Sequence, residues 1–379
     1  MSKLCIKTWI VAFSIILALS AIVLNCTKQD SASNELTIGC ISILSGEVAT
    51  YGKETRQGID LAIEETNNSG ILGDKKIKVI YEDSQIDAKI GTQAINKLIN
   101  IDKVPLIIGA FSSRVTLAIS PIAERNQTVL ISASATADAV KDAGDYIFRI
   151  VPPNKAQGTT AAKFALDKLD KKTAAVFHVN DEYGVSLAAE FKKAYEEFGG
   201  KILFYEGFNP GQKDFRSSIQ KIINAKPAFV YFPGQAAETG LILKQSKELG
   251  LDVPFIGGDG SYSPDLITIA GNTAENTYYT LMAMGFGVSD SLISNFESNY
   301  EAKYNEKPTV YAAYAYEAGK IVGSVLSEAE YTGDSIKEHL YALNNFKGIT
   351  GYTSFDEYGE VNKDFYMYVV KDGDFELWK

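Results

Sequence analysis

At 379 residues the chain is longer than one ordinary core sustains, so it should divide into two globular units. Apolar residues make up 46% and charged residues 22%, with no block of like charge and no low-complexity tract, which excludes an extended disordered chain. Forty-seven acidic residues against 37 basic ones disfavour nucleic acid and anionic membrane surfaces as partners.

Lys3 and Lys7 precede the charge-free run "TWIVAFSIILALSAIVLNC", Thr8 to Cys26, which is the pattern of a secretory leader. The run is also nearly long enough to span a bilayer, so an uncleaved anchor satisfies it too. Both readings put the remainder outside the cytoplasm. "VLNC" resembles the lipobox of bacterial lipoproteins, which implies a lipid on Cys26 and attachment to the membrane through it. Residues 1–25 then form the leader and residues 26–35 a polar tether. Taking Lys3 and Lys7 from the 37 basic residues leaves 35 against 47 acidic ones, a mature net charge of −12. Of Cys5, Cys26 and Cys40, only Cys40 is left, so a core rather than a disulfide framework must hold the exported protein together.

From Leu36 onward, β-branched runs alternate with amphipathic stretches of helical period, the pattern of an open parallel sheet covered on both faces. Strands are expected at "LTIGCISIL", "KIKVIYED", "PLIIGAF", "TVLISAS" and "YIFRIV", with helices at "YGKETRQGIDLAIEETN", "AKIGTQAINKLIN" and "SRVTLAISPIAERN" between them. "VPPN", Val151 to Asn154, interrupts the rhythm, and its two prolines suit a crossing between lobes. The alternation restarts with "AAVFHVN", "KILFYEGF", "AFVYFPG" and "VPFIGGD". A third section, including "ISNFESNYEAKY" and "YAAYAYEAGKIVGSVLSEAE", has too few strands for a domain and should return to the first half. The tail alternates aromatic and polar residues around Glu357-Tyr358-Gly359 and around Asp372-Gly373, which reads as hairpin strands. The expected fold class is α/β, with a first lobe over 36–151, a second over 152–280, a return to the first over 281–350, and C-terminal strands on the second lobe or hinge over 351–379.

The chain lacks HExxH, paired CxxC, GxSxG and GxxxxGK[ST], and its two histidines, His178 and His339, sit in strand and helix patterns. No catalytic residue, metal or cofactor is expected. What remains is a set of polar groups at the carboxyl ends of predicted strands, where open α/β sheets bind ligands. Ser112, Ser113 and "SASAT", Ser132 to Thr136, sit where helices start, and hydroxyls with free N–H groups there suit a carboxylate. "NDEYG", Asn180 to Gly184, and "GGDG", centred on Asp259, offer acceptors for a cation. Each hydroxyl is equally readable as a helix cap, and Asp259 as a loop turn. Together they suit a zwitterion.

In order along the chain, "IGCISILSGEVATYGKETRQGIDLAIEETNNSGILG", "VPLIIGAFSSRVT", "ISASAT", "NDEYG", "GQKDFRSSI" and "FIGGDG" resemble the substrate-binding proteins of branched-chain amino acid ABC transporters. The resemblance runs from Leu36 to the C-terminus. It implies the type I periplasmic binding protein fold: two doubly wound α/β lobes, joined by three hinge crossings, that close on a ligand. It implies that Ser113 binds the ligand carboxylate, that Ser134 contributes its backbone, and that Thr136 contacts the ammonium end, with Ala135 between them. Phe111 and Ser112 adjoin the ligand, Tyr51 stands at the cleft edge, Tyr183 belongs to the closed cleft, and Asp259 pairs with the ammonium. Three departures stand out. Gln235 occupies the place of a tyrosine in leucine-type binders, and Arg114 follows Ser113 where small polar residues are common. Gln85 and Ser112 replace a disulfide. The resemblance implies a monomeric, periplasmic or lipid-anchored protein delivering an aliphatic, branched-chain amino acid to ABC permease subunits. A receptor or sensor module for amides, urea or aromatic acids is the alternative.

Overall fold

A computed structural model describes residues 34–46, 48–282 and 291–379. The leader, the tether up to Ser33 and the lipidation expected at Cys26 lie outside the described residues. The first lobe runs β1 (Glu35–Ser42), α1 (Ala49–Ser69), β2 (Lys76–Asp83), α2 (Ala88–Asn100), β3 (Leu106–Gly109), α3 (Ser113–Arg125), β4 (Val129–Ser132) and β5 (Ile147–Arg149). Its five strands are parallel in the order β2-β1-β3-β4-β5. β3 and β4 are buried along their whole length, as the unbroken apolar runs "LIIG" and "VLIS" require of strands covered on both faces.

The second lobe repeats the plan with α4 (Asn154–Lys163), β6 (Thr173–Val179), α5 (Glu182–Glu197), β7 (Lys201–Phe208), α6 (Arg216–Ala225), β8 (Phe229–Phe232), α7 (Ala236–Glu248), β9 (Phe255–Gly257), α8 (Pro264–Ala270) and β10 (Tyr278–Met282). Its parallel part has the order β7-β6-β8-β9-β10, which is the strand order of the first lobe again. The chain continues through α9 (Ser291–Tyr304), α10 (Val310–Glu328), α11 (Gly333–Ala342), β11 (Phe346–Gly348), β12 (Gly351–Thr353), β13 (Phe365–Lys371) and β14 (Asp374–Leu377). β13 and β14 extend the second sheet in antiparallel fashion beyond β10.

α10 lies along α1, and the approach is close enough that a Cβ on Gly58 would stand 2.2 Å from the carbonyl oxygen of Ala312. Only glycine fits there. Among the described residues no helix is long and apolar enough to cross a membrane. Cys40 is a buried free thiol.

The tail departs from expectation at one point. Asp372-Gly373 does join the antiparallel strands β13 and β14, but Glu357–Gly359 joins no hairpin, because β12 pairs back with β11 and residues 354–364 contain no strand. Arg149 accounts for this. Its N–H donates to the Gly359 carbonyl at 3.0 Å and its guanidinium pairs with Glu360, so the segment is tied to the edge of β5 instead of folding on itself.

Candidate functional site

In a sheet of order 2-1-3-4-5 the loops leaving neighbouring strands diverge at the switch point, opening a crevice beyond the carboxyl ends. Both lobes turn this end toward the same cleft, which holds about 420 Å³ counted out to its open mouth. The first lobe supplies Phe111, Ser112, Ser113 and Arg114 after β3, Ser134 after β4 and Ile86 after β2; the second supplies Asp181 and Tyr183 after β6, Gln235 after β8, and Asp259 and Gly260 after β9. Tyr311, in the first turn of α10, completes the lining.

On the first-lobe side the strand-to-helix junction is built from hydroxyls. Ser112 is the N-cap of α3 and its Oγ accepts from the N–H of Val115 at 3.3 Å, while the Thr116 N–H reaches the Ser112 carbonyl at 3.0 Å. The N–H groups of Ser113 and Arg114 therefore open the helix with no acceptor inside it, beside the positive end of the helix dipole. Ser113 Oγ accepts from Ala137 N–H at 3.1 Å, and Ser134 Oγ donates to the Phe111 carbonyl at 2.7 Å, stitching the β3 and β4 loops together. The hydroxyls and free N–H groups here are donors, with the Arg114 guanidinium beside them, as an anion needs.

The second-lobe side presents a carboxylate. Asp259 is buried, and its Oδ1 accepts from Gln157 Nε2 and from the Tyr183 hydroxyl, both at 2.8 Å. Burial pushes its pKa above the ordinary aspartate value, with those hydrogen bonds opposing the rise. No cation among the described residues forms an ion pair with it. Asp181, whose Oδ1 caps α5 by accepting from Gly184 N–H at 2.8 Å, is pushed up to about 6 by burial, with that hydrogen bond opposing.

The two faces are already bridged. Tyr51 donates to the Gly260 carbonyl at 2.8 Å and its oxygen accepts from Ala236 N–H at 3.4 Å; Tyr311 donates to the Asp259 carbonyl at 2.6 Å. The rings of Tyr51, Phe111 and Tyr311 pack together with centroids 5.2–5.4 Å apart.

Of the residues singled out from sequence, Phe111, Ser112, Ser113, Ser134, Tyr183, Gln235 and Asp259 meet in the lining. Tyr51, Ala135 and Thr136 do not reach it. Tyr51 stands behind Phe111, and Ala135 and Thr136 are wholly buried, with Thr136 Oγ1 lacking a hydrogen-bond partner. Tyr311 and Gln157 were missed. Tyr311 sits in a helix whose alanine and aromatic pattern reads as core, and Gln157 in the short polar helix α4, where the sequence pattern predicts no element. Among the described residues no group of His, Cys, Asp or Glu could hold a metal ion.

Residues 35–374 match the family described as periplasmic binding protein. The chain belongs to that family. Among curated relatives, this periplasmic binding protein is 33% identical over 340 residues to a leucine-, isoleucine-, valine-, threonine- and alanine-binding protein of Pseudomonas aeruginosa, covering 89% of the chain and 90% of the relative. Among solved structures it superposes on a leucine-binding protein of Thermotoga maritima with a TM-score of 0.87, at 27% identity, over 91% of this chain and 98% of the other. A branched-chain amino acid transporter substrate-binding protein of Streptococcus pneumoniae, solved in complex with isoleucine, gives a TM-score of 0.85 at 29% identity, covering 90% and 98%. These likenesses make it a periplasmic binding protein of the leucine/isoleucine/valine-binding type, with the type I two-lobed fold.

Proposed function

We propose that this protein captures an amino acid outside the cytoplasm, holding its carboxylate at Ser112, Ser113 and the start of α3 and its ammonium at Asp259, and hands it to an ABC permease. Cys26 would tether it to the membrane by a lipid. The observation that carries the reading is the buried Asp259, a carboxyl in a low-dielectric site whose hydrogen-bond partners, Gln157 and Tyr183, are neutral and which finds no protein cation among the described residues to offset it. A ligand ammonium would supply that charge. The donor-rich face opposite would take the other end of the same molecule, so the two lobes together would fit a zwitterion that neither fits alone. Closure would then be favoured by the ligand's better bonding in the shut cleft. Relatives named for aliphatic amino acids support the transport role.

The test is calorimetric titration of the full chain with amino acids. Asp259→Asn should weaken binding by about 2–5 kcal/mol, because it strips a buried ammonium of its charge partner. Unchanged affinity in the variant would remove Asp259 from the site.

A further inference from the structure

Once the carboxylate and ammonium ends are assigned, the cleft still presents the polar side chains of Arg114, Asp181 and Gln235, with Ile86 beside them. We propose that Arg114, Gln235 and Asp181 form a polar end of the cleft that selects an amino acid whose side chain ends in a carboxamide. The inference rests on the reading that the cleft holds an amino acid by its main-chain groups.

Arg114 comes from the first lobe and Asp181 from the second, and they face each other across the lining without an ion pair within 4.0 Å. Asp181 uses one oxygen to cap α5, and among the described residues the other accepts no hydrogen bond. Among the described residues Arg114 makes no ion pair within 4.0 Å, although its charge acts on both Asp87 and Asp181. Gln235 occupies the N-cap position of α7, yet its side chain makes no capping bond, so its amide is free to donate and to accept. Ile86 closes the wall with a φ of +56°, a left-handed conformation that a β-branched residue rarely adopts. Phe111 and Tyr311 give apolar walls along the way.

The group that fits between these residues must accept from Arg114 and donate to Asp181. A carboxylate would be repelled by Asp181 and an ammonium by Arg114. An aliphatic end would offer no hydrogen bond to the second Asp181 oxygen, to the Arg114 guanidinium or to the Gln235 amide when the cleft shuts, which is the costly arrangement. A carboxamide carries its acceptor and its donors on separate atoms of one planar group, matching protein groups that stand on opposite sides, with Gln235 able to meet either atom. Since Arg114 belongs to one lobe and Asp181 and Gln235 to the other, that end group is fully bonded only in the shut cleft. Side-chain recognition and closure therefore become one event.

The experiment is calorimetric titration of the full chain, freed of carried solute by unfolding and refolding, with glutamine, asparagine, alanine, leucine, methionine and glutamate. Glutamine or asparagine should bind about 100-fold or more tightly than leucine, methionine and glutamate, the scale on which a site built to hydrogen-bond rejects an analogue that cannot. Arg114→Met should narrow the ratio of amide to alanine affinity at least about tenfold, and Gln235→Leu should shift preference toward leucine. Leucine or methionine binding as tightly as both amides would overturn the inference while leaving the amino-acid reading intact. Equal losses for amide and alanine in Arg114→Met would also overturn it, placing Arg114 at the carboxylate end. Silence toward all six would overturn it as well, and silence extended to every other amino acid would overturn the proposed function.

Discussion

Glu54 sits on α1 less than one turn beyond Tyr51, buried and near Glu306 and Asp265. Burial pushes its pKa up to about 7, against a hydrogen bond from the Thr309 hydroxyl at 2.9 Å. The folded chain thus holds this proton more tightly than the unfolded chain, whose glutamate titrates near 4.5. Its contribution to stability is fully present below the unfolded value and is lost as pH rises through about 7. Glu54→Gln should therefore stabilise the protein at pH 8, by up to about 3 kcal/mol, and make no difference at pH 4. Thermal unfolding of both chains at the two pH values checks this. At this scale the sequence was most readable where a polar residue breaks an apolar run. Ser112, Ser113 and Asp259 end strands, so their position in the cleft followed from the alternation. Tyr51 and Thr136, expected at the cleft edge and at the ammonium end, lie outside the lining: Tyr51 spends its hydroxyl on the Gly260 carbonyl and Thr136 is wholly buried. Tyr311 lies in a helix whose aromatic and alanine pattern announces burial, and burial gives no sign of which buried residue borders a cleft.

Among elements, α1 and α10 show how small residues set a distance. Beyond Gly58 against Ala312, a Cβ on Gly319 would meet the Ala62 side chain at 2.7 Å, and one on Gly323 would meet Thr66 at 2.6 Å. The helices touch along three successive turns without a large side chain between them. Gly58→Ala should push them apart and cost roughly 1–3 kcal/mol, read as a lower midpoint in thermal or denaturant unfolding. If the midpoint held, the close approach would not be what sets this packing. Strands β2 and β7 coincide with the stretches read from sequence, because each runs between turn residues. The hairpin read at Glu357–Gly359 did not form, since a turn sequence says where the chain bends but not which edge claims it. Here a buried arginine on β5, far away in sequence, made that choice.

The whole molecule is one strand order used twice, with both crevices facing a shared cleft. The restart after Val151–Asn154 made the two lobes legible, whereas their approach to each other was not, because it depends on single hydrogen bonds. Thr50 Oγ1 donates to Asp265 at 3.1 Å and Ser186 Oγ to Asp138 at 2.9 Å, beside the bonds from Tyr51 and Tyr311. Tyr51→Phe deletes one bond to Gly260 and strands the Ala236 N–H, a loss of about 1–2 kcal/mol from the closed form. Bound solute should then leave about 5–30-fold faster in stopped-flow displacement. An unchanged dissociation rate would locate the latch elsewhere.

The Tyr51 and Tyr311 bonds run between protein groups alone, so they act whatever the cleft contains. Entry and departure must both wait for the same bonds to break. A firmer latch would lengthen retention and slow capture together, and the frequency with which the hinge swings would meter the traffic of solute through the protein.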